Sequence, residues 1–345
     1  MREYAGIRPK LAQEFTGFVG TSKMFRSRFR GPTDALTRIY SPEEIRQIRM
    51  GLMGIPLDTP RSAVIPPILN FRMSKGGTGK TTICGNTASC LASMGYRVLM
   101  IDGDPQASLS QLFGLDWTKH DPVHIGELMR RANTGQRTDI DKAVIPIYPG
   151  GMLDLIAADI NMANADSWII NAMNREQLLT RLLTTEIEFF SRYDAILIDS
   201  APSSSLLTLA LMVASKTMIA VVMPEGQSLK ALDVLEANIK EMNAAWPNRE
   251  YGVHIIINRY NQTKRPHQEV LQQIITGYKK QMNDTIIRDF IGFLRETVVV
   301  DNRNGGPVLE HEPNSVGARD IIDVTKSLIA FYDIHLPNVT ASRAV

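Results

Sequence analysis

A glycine-rich segment with two lysines constrains this chain more than any other part of its sequence. It reads KGGTGKTT and occupies residues 75–82. The apolar, strand-like run Ile68–Phe71 precedes it, and a stretch with helical character follows it. A strand, a glycine-rich turn and a helix N-terminus together form a phosphate site, because backbone N–H groups point inward and the helix dipole favours an anion. The sequence therefore predicts a phosphate-binding loop.

The segment fits the template G-x-x-x-x-G-K-[ST] at all but one position, since Ser74 stands where the template has its first glycine. Lys80 is the template lysine, which reaches the β- and γ-phosphates, and Thr81 is the residue whose hydroxyl binds Mg²⁺. A glycine-rich turn without a ligand leaves the two lysines and two threonines unexplained. The other loop residues that we expect to bind a nucleotide are Lys75, Gly76, Gly77, Thr78, Gly79 and Thr82.

Apolar runs of strand length alternate with helix-like stretches after the loop. Runs without polar alternation predict strands buried on both faces, and their alternation with helices predicts an α/β fold with a mainly parallel, twisted sheet flanked by helices. The predicted strands are 68–71, 97–101, 153–156, 195–198, 218–223, 254–257 and 298–300, and the predicted helices are about 80–94, 174–192, 228–243, 265–280 and 318–332.

The N-terminal part of the chain is basic and irregular. Residues 1–72 carry 12 Lys and Arg against 6 Asp and Glu, which gives this segment a net charge of +6. The net charge of the whole chain is +2, so the remaining residues have a net charge of −4. Ser41 followed by Pro42 and Glu44 predicts a helix that begins with a capping box. Four prolines between residues 56 and 67 then predict a linker. We therefore expect a small helical basic region over 1–65, a P-loop domain over 66–335 and a tail over 336–345.

Cysteine usage and hydropathy favour a cytoplasmic protein. The two cysteines, Cys84 and Cys90, are too few for a disulfide framework or a cysteine-rich metal site. No segment approaches the ~18–20 consecutive apolar residues of a membrane helix. The first ten residues, MREYAGIRPK, lack the apolar core of a signal peptide. We expect no membrane partner.

Two further segments accompany the loop. The first, DGDPQAS at residues 102–108, follows a predicted strand, and the second, IDSAPS at 198–203, ends another. Together with KGGTGKTT they resemble the boxes of the ParA/MinD family of P-loop ATPases, in which the extra loop lysine is a signature. The resemblance covers about residues 65–335, and the basic N-terminal extension is similar to that of the larger, RepA-like plasmid-partition members.

The resemblance implies three catalytic residues. Lys80 would neutralise the oxygens of the β- and γ-phosphates of ATP, and Asp104 would orient the attacking water. Lys75 would reach across a dimer interface to the ATP of the partner, as an arginine finger does in other P-loop enzymes. The expected consequence is a homodimer that exists only while ATP is bound.

The metal and base sites follow from the same resemblance. Thr81 and Asp199 would hold Mg²⁺, Asp199 partly through water, and Asp102 is a further candidate for the metal shell. The residues expected near the adenine are Pro224, Asn258 and Arg259. For Asn258 a strand-end side chain that satisfies a turn stays an alternative.

The function that the resemblance implies is ATP-dependent DNA partition. The ATP dimer would bind DNA without sequence preference on the nucleoid, and a ParB-type centromere-binding protein would stimulate weak hydrolysis. A transcriptional repressor that acts through residues 1–65 and a MinD-like positioning ATPase for a non-DNA cargo are the alternatives. The N-terminal helix has its own alternative, a solvated helix packed across a dimer partner. The candidate DNA contacts are Arg46, Arg49, Lys279, Lys280, Arg295 and Arg303.

Overall fold

The sheet at the centre of the computed structural model has seven strands, which are β1 Ile68–Phe71, β2 Val98–Gly103, β3 Val144–Tyr148, β4 Leu153–Ile156, β5 Ala195–Ser200, β6 Thr217–Val222 and β7 Gly252–Ile257. Their order across the sheet is β3-β4-β2-β5-β1-β6-β7. All neighbours run parallel except β3 and β4, which are antiparallel. The structure describes residues 6–20, 24–25, 28–29, 39–115, 121–296, 299–300, 303–304 and 306–337. The expected α/β fold with a mainly parallel sheet flanked by helices is confirmed.

The strands alternate with helices as the sequence predicts. A short hairpin of β8 Val299–Val300 and β9 Arg303–Asn304 is separate from the main sheet. The α-helices are Pro9–Thr16, Pro42–Met53, Lys80–Ser93, Ser108–Leu112, Ile125–Asn133, Ile140–Ala143, Ala165–Ile169, Leu178–Thr185, Ile187–Phe190, Leu206–Ser215, Gly226–Ala245, Arg265–Tyr278, Val308–His311 and Val316–Phe331.

The strand register brings two acidic strand ends together. Asp102 of β2 pairs in register with Asp199 of β5, and Phe71 at the end of β1 pairs with the same Asp199. Because the carboxyl ends of parallel strands meet at one edge of the sheet, the phosphate loop after β1 lies beside both aspartates. This edge is where doubly wound sheets bind ligands.

The N-terminal region shares the core of the P-loop domain. Phe25, Tyr40 and Ile45 are fully buried in one apolar cluster with Ile83 of the helix Lys80–Ser93 and Ile321 of the helix Val316–Phe331. Its predicted capping box is confirmed, because the Glu44 N–H donates to Ser41 and the Ser41 N–H donates to Glu44. The boundary at residue 65 stays a prediction.

The face of the helix Pro42–Met53 that was expected to meet DNA is turned onto the domain. Arg46 is only 6% exposed and donates to Asp194 at 2.5 Å and to the carbonyl of Gly95 at 3.0 Å. Arg49 donates to the carbonyl of Met94 and stacks on the ring of Tyr96. Both guanidinium groups are used for packing here, and their contact with DNA stays a prediction.

Over the described ranges, no helix combines the length and the apolar character needed to cross a membrane.

Candidate functional site

The phosphate loop takes its shape from two glycines and one asparagine. Gly77 and Gly79 have φ of +73° and +89°, which side chains other than glycine rarely adopt. A Cβ at Gly79 would lie 2.4 Å from the side-chain nitrogen of Asn258, so only glycine fits there. Asn258, just after β7, donates to the carbonyl of Thr78 at 2.8 Å. Residues far apart in sequence thus fix the loop at the N-terminus of the helix that begins at Lys80.

The two loop lysines have different surroundings. Lys80 is buried, its ammonium lies 3.5 Å from the carbonyl of Lys75, and burial lowers its pKa while Asp199 acts in the opposite direction. Lys75 points the other way and pairs with Glu225 at 2.7 Å. The Lys75 ammonium lowers the pKa of Glu225. Lys80 therefore belongs to the interior of the loop, whereas Lys75 lies at its rim.

The hydroxyl of Thr81 and the carboxylate of Asp199 form the centre of the site. Thr81 Oγ1 donates to Asp199 Oδ2 at 2.6 Å, while Asp199 Oδ1 is buried without a hydrogen-bond partner. Burial and the neighbouring Asp102 raise the pKa of Asp199. An unpartnered buried carboxylate oxygen beside a hydroxyl fits Mg²⁺, which prefers oxygen ligands and keeps several waters. No group of three or more His, Cys, Asp or Glu side chains suited to a metal occurs in the described part of the chain.

Asp102 and Asp104 hold the turn after β2. Asp102 is fully buried and accepts hydrogen bonds from the N–H and the hydroxyl of Ser110 and from the N–H of Asp104, and burial raises its pKa to about 6. Asp104 is half-buried and accepts from the N–H of Gln106 at 2.9 Å. It lies two residues after Asp102, whose register partner Asp199 accepts from Thr81 of the phosphate loop, and its charge raises the pKa of Lys80. Both roles expected for these aspartates stay predictions.

The three residues expected near the base lie after β6 and β7. Pro224 is buried, and Arg259 has φ of +53° and an exposed side chain 3.4 Å from Asp289. The side-chain NH2 of Asn258 donates to the carbonyl of Thr78, and its side-chain oxygen accepts from the N–H of Arg259. The structure thus shows Asn258 in the turn-satisfying role, and its contact with a base stays a prediction.

The remaining candidate DNA contacts all follow β7 in the sequence. Lys279 and Lys280 are exposed at the end of the helix Arg265–Tyr278. Arg295 is exposed and pairs with Glu312 at 2.8 Å. The backbone of Arg303 belongs to β9, and its side chain lies outside the described part of the structure.

Two residues near the site were not singled out from the sequence. Glu225 follows Pro224 directly, but its ion-pair partner Lys75 lies 150 residues away in the sequence. No local sequence pattern predicts a pair over that distance. Arg72 follows β1 and donates to the carbonyls of Pro202 and Ser203, at 3.1 and 3.2 Å. The sequence does contain a hint of this contact, because Arg72 is a lone arginine at an otherwise apolar strand end. A guanidinium that is buried there requires hydrogen-bond acceptors nearby.

Comparison with known proteins places the same segments in a recognised family. The sequence profile of the AAA_31 family, described as an AAA domain, matches residues 67–250. The chain is 28% identical over 314 residues to the cell division protein PomZ of Myxococcus xanthus, which covers 91% of this chain and 90% of PomZ.

Solved structures show the same fold. A putative plasmid partition protein of Borrelia burgdorferi bound to AMPPNP superposes with a TM-score of 0.60 at 22% identity and covers 77% of this chain and 99% of that protein. Cobyrinic acid a,c-diamide synthase of Mycobacterium smegmatis, with an ATP analogue and magnesium, superposes with a TM-score of 0.63 at 21% identity, over 78% of this chain and 96% of that enzyme.

Proposed function

Because the chain belongs to the ParA/MinD family of P-loop ATPases, we propose that it is a DNA-partition ATPase. It binds ATP with Mg²⁺ and forms a homodimer in that state. The dimer holds DNA on the nucleoid without sequence preference. Weak hydrolysis, stimulated by a ParB-type partner, then releases the DNA.

The hydrogen bond between Thr81 and Asp199 is the observation that supports this proposal most strongly. It joins the phosphate loop to the strand β5 at 2.6 Å, and Lys80 is buried beside the same carboxylate. This arrangement suits Thr81 and Asp199 to hold Mg²⁺, which when bound neutralises charge on the β- and γ-phosphate oxygens. Lys80 binds the same oxygens, and Asp104 positions the attacking water. Phosphoryl transfer to water requires little more than such positioning and neutralisation.

DNA retention in three nucleotide states tests the partition proposal. We expect the full chain to be retained on DNA with ATP and Mg²⁺, and much less with ADP or without nucleotide. Equal retention in all three states would overturn the nucleotide switch. Thr81→Ala should abolish the ATP-dependent part, whereas the exposed helix residue Thr276→Ala should leave it unchanged.

The similarity to PomZ supports a second candidate, an ATPase that positions a non-DNA cargo. The same experiment separates the two, because such a protein would hydrolyse ATP without any retention on DNA. A repressor that reads an operator through the helix Pro42–Met53 finds no support, since Arg46 is buried against Asp194.

A further inference from the structure

A cavity of about 320 Å³ lies beside the loop that follows Asp199. It opens between the helix Leu206–Ser215 and the helix Gly226–Ala245. Its wall is largely apolar, with hydroxyl groups at the loop end and the indole of Trp246 at the other helix. The apolar side chains in the wall are Leu206, Leu209, Met212, Met242 and Trp246. Small-molecule sites typically enclose about 300–1,000 Å³ with such a lining and a few polar groups.

The one basic residue in this lining is Arg72, which forms no ion pair with the described residues, and the one acidic residue is Glu241, which is exposed. Arg72 is 1% exposed, its two terminal nitrogens donate to the carbonyls of Pro202 and Ser203, and its Nε has no hydrogen-bond partner. Burial alone lowers its pKa to about 10, so the guanidinium is charged at neutral pH. A buried charge without an ion-pair partner is costly, which makes this position favourable for an anion.

We propose that the cavity binds a small organic acid whose carboxylate pairs with Arg72 and whose aromatic or aliphatic body packs against Met212 and Trp246. A guanidinium and a carboxylate match in geometry and charge. Burial of the hydrophobic part of the ligand against the apolar wall adds favourable binding free energy. The hydroxyls of Ser204 and Thr208 in the same wall provide further donors. This site is separate from the phosphate loop, so binding there requires neither ATP nor a dimer.

The position of Arg72 couples this site to the nucleotide site. The carbonyls that Arg72 holds belong to residues three and four positions after Asp199. The backbone N–H of Arg72 donates to Ile219 of β6, immediately before the phosphate loop begins. An acid that engages the guanidinium therefore changes the restraint on the loop that leads away from Asp199.

Titration calorimetry on the full chain without nucleotide tests the proposal with 4-phenylbutyrate and its uncharged amide, 4-phenylbutyramide. We expect the acid to bind at least about tenfold more tightly than the amide, because hydrogen bonds to a charged partner are the stronger ones. Equal binding of the two compounds, or no binding of the acid at millimolar concentration, would overturn the proposal.

Three variants locate the binding. Ala245→Trp fills the mouth of the cavity from an exposed position and should abolish binding of the acid, whereas Val234→Trp, exposed on the same helix outside the cavity, should leave it unchanged. Glu241→Gln removes a negative charge from the lining and should tighten binding of the acid but not of the amide. Undiminished binding by the Ala245→Trp variant, with its circular dichroism intact, would refute this location.

Discussion

The ammonium group of Lys75 lies 2.7 Å from a carboxylate oxygen of Glu225 in the same chain. Lys75 is the residue that we propose to reach the ATP of a dimer partner. The side chains are 21% and 43% exposed, so this ion pair is accessible and weak enough to exchange. We therefore expect the pair to compete with the contact that Lys75 makes in the proposed dimer.

Glu225→Gln should favour the ATP dimer. Each protomer gives up its own pair on dimerisation, so removing both competing carboxylates is worth up to about 2 kcal/mol per dimer, which corresponds to an up to about thirtyfold lower protein concentration at half-dimerisation. Light scattering with ATP and Mg²⁺ measures this concentration. Glu269→Gln removes a comparable surface pair with Arg265 and serves as the control. A weaker dimer in Glu225→Gln would show that Glu225 supports the interface instead.

Lys75→Ala should leave nucleotide binding by the monomer intact and remove hydrolysis. A cation supplied by a partner to the transition state contributes about 10³–10⁵ to the rate in related chemistry. Phosphate release and equilibrium binding of a fluorescent ATP analogue separate the two effects. Turnover at the rate of the unmodified protein would refute the role across the dimer.

Asp104→Ala should trap a long-lived ATP dimer. Among the described residues the Asp104 carboxylate accepts from the nearby N–H of Gln106, so we expect its removal to spare the fold but to leave the attacking water of the proposed reaction unoriented. Hydrolysis should fall by about 10²–10³, the range for one positioned catalytic group. Size-exclusion chromatography after a chase with ADP reports the lifetime of the dimer, and rapid dissociation would argue for another water-positioning group.

Arg46→Met should lower the free energy of unfolding by about 3 kcal/mol. It breaks the ion pair with the fully buried Asp194, which keeps Arg61 at 3.1 Å, and breaking a buried pair is strongly destabilising. Arg192→Met, which breaks the exposed pair with Asp141, should cost at most about 1 kcal/mol. Urea unfolding measures both. Unchanged stability together with lost DNA retention would restore a DNA-binding role for Arg46.

His254 should make the protein less stable in mild acid. Its ring packs 4.2 Å from that of Phe331, and burial lowers its pKa to about 4 from a usual value near 6.5, although Asp284 acts in the opposite direction. In this pH range His254 is protonated in the unfolded chain and neutral in the folded chain. The free energy of unfolding therefore decreases as pH falls from about 6.5 towards 4.

Between pH 7 and pH 5 the expected loss of free energy of unfolding from this group is about 2 kcal/mol. His254→Gln replaces the imidazole by an amide, which can still bond Asn283 but does not titrate. It should therefore flatten this part of the pH profile. An equal loss in the variant would assign the pH dependence to other residues.

Local signals determined what the sequence could predict. The strand Ile68–Phe71 and the capping box at Ser41 were predicted with their observed bounds, because each depends on residues within a few positions. The helix Leu206–Ser215 was missed because nearly all of its residues are apolar, which removes the helical period. The antiparallel edge strand β3 was also missed, since it is only partly buried and lacks a clear pattern.

Long-range partners account for the remaining differences. The spacing of Arg46 and Arg49 correctly indicated a shared helix face, but Asp194, the partner of Arg46, lies 148 residues away. Likewise, Asn258 was recognised as a strand-end residue, whereas its bond to Thr78 joins positions 180 residues apart. Residue type and spacing suggest a chemistry, and only the folded chain shows which acceptor each donor reaches.

The packing of the N-terminal region also sets the order in which the chain can mature during synthesis. Glu14 of the first helix accepts from Arg319 and Lys326, residues that the ribosome makes more than 300 positions later. Synthesis proceeds at about 5–20 residues per second. Roughly 15–60 s therefore pass between the synthesis of Phe15 and Tyr40 and that of the helix Val316–Phe331, which packs in the same apolar cluster. Such non-local closure slows folding. We therefore expect this aromatic cluster to reach its final packing only after the C-terminal helix has been made.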